Sequence, residues 1–538
     1  MQWDLDCEVL VVGGGAGALT GAFVLASEGL DALLIEATDK FGGLTCYSGG
    51  AVWLPGNQAS VRDGLDDTND IALEYFQSVV GDRTPADLQR AFVRNGPNVV
   101  EYLERSPYVR FFWFAFPDYY GDMGCPPGHA RGRDVLTAPL PVSEAGGFAD
   151  KVRSQMPQDI CGHPEPDHLF GGRALVGRLL LACRDAGVRL QLNCGLESLL
   201  LDDGRVVGAQ VQHGGTLARI RARRGIVLAA GGFERNQKMR DQFGVAGSAE
   251  WSAGAPGGTG KAIVAGIEIG AATDFMDECW WMPGLIQPNG RTGFIAAVNG
   301  GIIVNSAGER FANESGPYDR FGRKMRAGHA TGVDHIPAWW IWDASLGQTV
   351  PSAAVSVPVL DFAIYERAGL WKQGETLEEL AANIGVPAEA LKQTVARFNG
   401  FCETGVDEDF HRGESPYDIY IASELPAVMR ENPAVPVRAD AVSLVGSPNP
   451  CLIPIKTGPF YAAKIGLGDL GTKGGLKTDA KSRVLRADGS IIPGLYAAGD
   501  TMAPVSGNYY PAPGTPIGSS MAFSYLAAMD IAHGNSSI

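Results

Sequence analysis

The first forty residues carry the tightest constraint on how this chain can fold. Residues 8–12, EVLVV, read as an apolar strand running straight into Gly13, Gly14, Gly15, Ala16, Gly17 and Ala18, the spacing GxGxxA. In that spacing the first glycine permits a tight turn and the second lets a pyrophosphate approach the backbone. The helix that follows, from about residue 17 to 29, offers its N-terminal amides to the phosphate. Gly13, Gly15, Ala16 and Gly17 are therefore candidate cofactor contacts. A second strand, residues 32–35, ends in Glu36 and Ala37, where an acid about 20 residues on binds a ribose hydroxyl. A lone glycine motif is weak. Strand, glycines, helix, strand and acid in that order specify a βαβ dinucleotide unit in an α/β, Rossmann-like domain.

Residues 41–50, FGGLTCYSGG, follow at once. Paired glycines let a backbone lie against a flat ring system, which points to FAD rather than NAD, with Gly42, Gly43, Thr45, Ser48, Gly49 and Gly50 as candidate contacts. Two later segments repeat the theme, GIVLAAGG at 225–232 and GLYAAGD at 494–500. Each reads as an apolar strand ending in small residues, and in a doubly wound sheet such ends lie at the carboxyl edge where ligands sit. Ala230, Gly231, Gly232, Asn236, Gly499 and Asp500 join the candidate set. None of the eight histidines lies in these loops, so the FAD is expected to be non-covalent, with Cys46 and Tyr47 the remaining attachment points by residue type.

At 538 residues the chain has room for about three domains, or for one discontinuous domain and an insertion. From about residue 275 to 443 it is rich in tryptophan and in short helical segments such as 377–384 and 387–398. Glycine-rich turns return in LGTKGGLKTD at 470–479. The expected organisation is an FAD-binding domain made of 1–274 and 444–538, with an inserted α+β catalytic (cap) domain at 275–443. Forty-four basic against 60 acidic residues give a net charge of −16, which argues against a nucleic acid partner. No secretory signal opens the sequence and no apolar run is long enough for a transmembrane segment, so a cytoplasmic location is expected. The nine cysteines include no CxxC pair, which points to buried thiols rather than a zinc site or a disulfide framework.

Three tyrosine sites stand out. Residues 108–120, YVRFFWFAFPDYY, read as a buried strand and a proline turn that brings Tyr119 and Tyr120 to where side chains can enter a pocket. GERFANESGPY at 308–318 ends in Tyr318. A phenol, with an unperturbed pKa of about 10, suits acid–base work on the carbon beside a ketone better than it suits a carboxylate partner. At 506–525, SGNYYPAPGTPIGSSMAFSY, a loop leads into an apolar helix beginning near Ile517. Gly514 and Gly518 there can offer amides to an oxyanion or to the flavin, and Tyr510 lies four residues before Gly514. Pro516 and Ile517 at the helix start are further cofactor candidates. The alternative for Tyr509 and Tyr510 is simple packing at the edge of the FAD.

The RFANE stretch is similar to one in flavoenzymes of the fumarate reductase class, where it leads to a catalytic arginine; Tyr318 takes that place here. Together with LVVGGGAGALTGA, FGGLTCYSGGAVWLP, FPDY, RFANESGPY, PFYAAKI, GDLGTKGGLKTD and PGLYAAGD, and more loosely YPAPGTPIG, it makes the whole chain resemble the 3-ketosteroid Δ1-dehydrogenases. That resemblance implies a catalytic set of Tyr119, Tyr318, Tyr510 and Gly514. Tyr510 and the Gly514 amide would bind the carbonyl at carbon 3, and Tyr318, assisted by Tyr119, would take the proton from carbon 2. Hydride from carbon 1 would pass to the flavin. It also implies a steroid substrate and an unassigned electron acceptor, with a quinone among the candidates. Lys261 stands where the family usually has an acid, and Pro511, Pro513 and Pro516 each remove an amide donor. A Δ4-dehydrogenase and a fumarate-reductase-like enoate reductase remain the alternatives. The latter needs cations, for which Arg310, Arg320 and Arg323 lie near Tyr318 in sequence. A non-catalytic flavin-dependent ligand carrier would need no such tyrosine set.

Overall fold

The computed structural model describes residues 2–122, 128–162, 164–352, 354–357, 359, 361–426 and 448–534. Strand β1 (Leu5–Val12) leads through the glycine turn into α1 (Ala16–Ser27), which returns to β2 (Ala32–Ile35). β1 and β2 belong to an eight-stranded sheet. In it β1 pairs in parallel with β2 and with the strand Thr216–Leu228, and Ile491–Ala497 and Arg189–Gln191 extend the parallel set on either side. Parallel strands covered on both faces must be apolar throughout, and the last four residues of β1 and all of β2 are buried.

The register brings four strand ends into one line. Val12 lies opposite Ile35 and Leu228, and Leu228 lies opposite Ala497. The ladder continues one residue further, with Gly13 N donating to Ile35 O (2.8 Å), Ala229 N to Val12 O (2.9 Å) and Ala498 N to Leu228 O (2.9 Å). The segments read from sequence as ligand-edge strands at 225–232 and 494–500 thus end where β1 ends. α1 packs against the helices Gly171–Asp185 and Thr515–His533. Its glycines make this possible, since a side chain at Gly17 would collide with Ser520 Oγ.

The aromatic segment 108–120 is a strand only in part. β3 (Val52–Trp53), β4 (Phe111–Phe114) and β5 (Asp134–Thr137) form a small separate sheet, with Phe112 37% exposed. Residues 115–120 leave the strand, and Pro117 among them has no amide to give a ladder.

The chain divides into two compact units: Met1–Val245, Gly254–Cys279 and Gly471–Ile538 form one, Ala246–Ala253 and Trp280–Leu470 the other. The expected return to the first domain at residue 444 lies outside the described residues. The second unit holds a seven-stranded sheet with the strands in the order 302–304, 338–343, 460–472, 279–286, 292–297 and 354–355, and Trp371–Gly374 also pairs with 460–472. Trp340, Trp342 and Trp371 are fully buried, the last two edge to face at 4.9 Å. The helices expected at 377–384 and 387–398 occur as Leu377–Ile384 and Ala388–Thr404. They place Leu380, Leu391, Val395 and Phe398 in a core with Ile302, Val304 and Ile341. Among the described residues no helix is long and apolar enough to cross a membrane.

Gly13 has φ of +120°, and a side chain there would overlap the Ala229 carbonyl. Gly13→Ala is therefore expected to lower the stability of the apoprotein by about 1–3 kcal/mol, as overpacking does, read from the denaturant midpoint. An unchanged midpoint would show that the turn has room to relax.

Candidate active site

The common strand edge collects the glycine segments. Gly15 is the N-cap of α1. Gly42 N donates to Gly14 O at 2.8 Å, which sets the loop 42–50 beside the start of that helix. Ala16 N donates to Thr45 Oγ1 at 3.2 Å, so two expected cofactor residues meet each other. Ser48 Oγ donates to Thr45 O at 2.7 Å and accepts from Gly50 N at 3.1 Å. On the neighbouring strand ends, Thr501 Oγ1 accepts from Ala230 N (3.0 Å) and donates to Gly231 O (2.9 Å), which ties the 229–232 turn to Gly499 and Asp500. At Gly43, Gly49 and Gly231 the space where a side chain would begin is open for 4 Å, whereas Gly13, Gly17 and Gly232 are closed by neighbouring atoms. An open, backbone-lined edge next to a helix N-terminus fits a dinucleotide whose phosphates and flat rings need close approach.

Glu36 is buried after β2, and its Oε1 accepts from Thr38 N and Thr38 Oγ1, both at 2.8 Å. Burial pushes its pKa up while the Thr38 hydrogen bonds and Arg153 oppose that rise. Ala37 lies beside it, against Gly195. Asn236 does a structural job, since its Oδ1 caps the helix Gln237–Phe243 at Met239 N and its Nδ2 donates to Thr259 O. Cys46 is fully buried, and burial pushes its thiol up to about 12, which leaves no thiolate for flavin attachment. Lys261, the departure from the family pattern, forms an exposed ion pair with Glu197.

Tyr119 and Tyr510 come together in the first unit. They are 2% and 5% exposed, and their rings meet edge to face with centroids 5.1 Å apart. Tyr119 N donates to Pro511 O at 2.9 Å, and Tyr75 Oη donates to the same carbonyl at 2.5 Å. Gly514 is the N-cap of the helix Thr515–His533, with Pro516 and Ile517 in its first turn and a φ of +70°. It is buried, and no hydrogen bond among the described residues engages its amide.

Sequence reasoning missed the groups that hold these loops. Arg133 bonds Asp67 at 2.7 and 3.0 Å and also Asp118, the residue before Tyr119. Asp118 further accepts from Trp53 Nε1 and His129 N. Lys473 Nζ donates to Tyr509 O at 2.5 Å, and Ser506 Oγ donates to it at 2.9 Å. Only the burial of Asp118, Arg133 and Lys473 reveals these roles, and no local pattern announces it.

In the second unit, Tyr318 opens the helix Tyr318–His329, is 8% exposed and stands edge to face with Phe294 at 4.7 Å. The preceding loop is fixed by ion pairs. Arg310 bonds Glu314 (2.9 and 2.8 Å) and Asp407 (3.3 and 2.8 Å), and Arg412 bonds Glu314 at 3.2 Å. Arg323 pairs with Asp319 at 2.8 Å.

The Glu36 geometry generates a direct expectation. Glu36→Ala should lower flavin occupancy while turnover per bound flavin changes much less, because a ribose contact is remote from the reacting ring. Normal flavin content in the variant would sink the ribose assignment.

Residues 8–517 match the FAD binding domain family. The chain is 37% identical to a 3-oxosteroid 1-dehydrogenase of Mycolicibacterium smegmatis, over 98% of this chain and 97% of that protein. It is 34% identical to a 4-oxocyclohexanecarboxylate 2-dehydrogenase of Sinomonas cyclohexanicum, over 98% and 92%. Its fold superposes with a TM-score of 0.86 on the crystal structure of a 3-ketosteroid Δ1-dehydrogenase from Sterolibacterium denitrificans in complex with 1,4-androstadiene-3,17-dione, at 32% identity over 98% and 100%. The chain belongs to the FAD-binding flavoprotein family that includes the 3-oxosteroid 1-dehydrogenases.

Proposed function

We propose that this protein is a 3-ketosteroid Δ1-dehydrogenase, which introduces a 1,2 double bond into a 3-ketosteroid. The observation that carries the reading furthest is the buried Tyr119–Tyr510 pair beside Gly514, whose amide no group among the described residues takes. Tyr510 and that amide bind the oxygen at carbon 3 and stabilise the negative charge that develops as the ketone enolises. Tyr318 removes the proton from carbon 2, and Tyr119 assists by sharing the charge of the tyrosinate. FAD, when bound, accepts the hydride from carbon 1. The first unit carries the cofactor and the second serves as the inserted catalytic cap. A quinone is the proposed acceptor of the two electrons and the cytoplasm the proposed location. Faster reoxidation of the reduced protein by oxygen than by a soluble quinone would count against that acceptor.

The fumarate-reductase-like alternative needs an arginine for a carboxylate, and Arg310 and Arg323 are already held by carboxylates of their own unit. A monocyclic oxo acid is the second reading, favoured by the Sinomonas relative. Anaerobic mixing of the flavoprotein with a 3-ketosteroid and with a 4-oxocyclohexane acid separates the two. Bleaching of the flavin by the steroid and a product unsaturated at carbons 1 and 2 are expected. Bleaching by the monocyclic acid alone would replace the steroid reading, and unsaturation at carbon 4 would replace the regiochemistry.

Two further outcomes are expected. Acid precipitation should release the FAD into the supernatant, and a washed pellet that stays yellow would reveal a covalent bond. Tyr318→Phe keeps the ring but removes proton transfer, so turnover should fall by at least about 10², and exchange of the carbon 2 proton with deuterated solvent should be suppressed. Wild-type exchange in that variant would assign the base to another group.

A further inference from the structure

Asp134 has no part in the chemistry above, yet it occupies a costly place. It starts β5, opposite Trp53 of β3 and Phe114 of β4. The side chain is fully buried, and neither carboxyl oxygen has a hydrogen-bond partner among the described residues. The adjacent Arg133 does not neutralise it. Successive residues of an extended strand face opposite sides, and the Arg133 guanidinium is taken by Asp67 and Asp118. The charged group that acts on Asp134 is Asp118, a like charge. An unpaired carboxylate in such surroundings neutralises rather than stay ionised. Burial, and then Asp118, hold its pKa well above the usual carboxylate range. Burial without a partner favours the neutral acid, and a neutral carboxyl, unlike a carboxylate, has a proton to donate.

What it faces is the backbone of the proposed site. A side-chain carbon on Gly514 would lie 2.7 Å from Asp134 Oδ1 and 2.6 Å from the Ala51 carbonyl oxygen. Carboxyl and carbonyl therefore flank one backbone position. On its other bond, Gly514 O accepts from Trp53 N at 3.2 Å. Residues 51–53 and Asp134 enclose Gly514, and the φ of +70° there excludes other residue types without strain.

We propose that Asp134 is a positioning residue whose protonated carboxyl ties the Ala51 carbonyl to the Gly514 turn and so aims the Gly514 amide at the substrate oxygen. The proposal rests on the reading of Gly514 as an oxyanion donor. Such a residue acts through its proton and not through its bulk, which sets the choice of variants.

The test compares two variants as purified holoenzymes. Asp134→Leu has the same branched shape without polar atoms, and Asp134→Asn keeps a donor. In Asp134→Leu, flavin content is expected to stay normal while Tm falls modestly, because the Ala51 carbonyl loses its proposed donor. Its kcat should fall about tenfold or more while KM changes by less than about threefold, the signature of a misaimed transition-state donor. Asp134→Asn should recover kcat to within about threefold of wild type. Wild-type kcat in Asp134→Leu overturns the proposal, and so does an Asp134→Asn variant as slow as Asp134→Leu. If Asp134→Leu does not accumulate as a folded flavoprotein, Asp134→Asn alone decides, and a loss of about 10² in its kcat overturns the proposal. Tyr510→Phe, which removes the phenol proposed to share the substrate oxygen with the Gly514 amide, is run in parallel and separates the two levels. Wild-type turnover in Tyr510→Phe removes the oxyanion reading itself, whereas loss of turnover there with an unaffected Asp134→Leu removes only the role of Asp134.

Discussion

The alignment of Val12, Ile35, Leu228 and Ala497 along one edge of a parallel sheet is the constraint on which the site depends. Three of these four strands, those ending at Val12, Leu228 and Ala497, run into small residues, so the chain leaves the sheet there without filling the space above it. Gly13 turns back against Ala229, Ala230 and Gly231 lean on Thr501, and Gly42 hangs from Gly14. A slip of one residue in any of these pairings would bring a side chain to where a glycine now clears a neighbouring backbone. The cofactor cradle is thus a property of sheet register before it is a property of any side chain.

Within each unit, the loops that carry the tyrosines are held by buried charge. Arg133 with Asp67 and Asp118 anchors the Tyr119 turn, and Lys473 holds the carbonyl before Tyr510. In the second unit, Arg310, Glu314, Asp407 and Arg412 do the same for the loop before Tyr318. Removing one partner from such a cluster costs about 3–5 kcal/mol because the others are left buried and unpaired. The exposed Lys261–Glu197 pair contributes about 0–1 kcal/mol. These buried clusters keep irregular segments, which have little ladder of their own, in single conformations.

The sequence makes the βαβ unit legible because all its determinants are local: β2 occurs at the residues expected, and α1 begins one residue from the expected start. Tyr119 and Tyr510, nearly four hundred residues apart, could be paired only through resemblance, since no spacing rule links them. The strand expected before the proline turn within 108–120 covers only Phe111–Phe114, because aromatic content signals apolar surface without saying how much of it is paired. Asp134, Thr501 and Lys473 were illegible for a different reason. Their importance lies in partners or in a lack of partners that only the tertiary fold creates, and each reads in sequence as an ordinary polar residue near a turn. Asn236 shows the converse, a residue in a suggestive word whose side chain is committed to capping a helix.

The close approach of Gly17 to Ser520 also has a consequence for synthesis. α1 is synthesised long before Thr515–His533, the helix that covers it. Until then α1 lacks its Thr515–His533 partner, and the N-cap at Gly514 does not exist. The nascent chain therefore passes most of its elongation with an incomplete cofactor domain, so a truncated product should be unable to retain flavin and should depend on chaperone protection. Cofactor capture then acts as a proof that the polypeptide has been read through the Thr515–His533 helix.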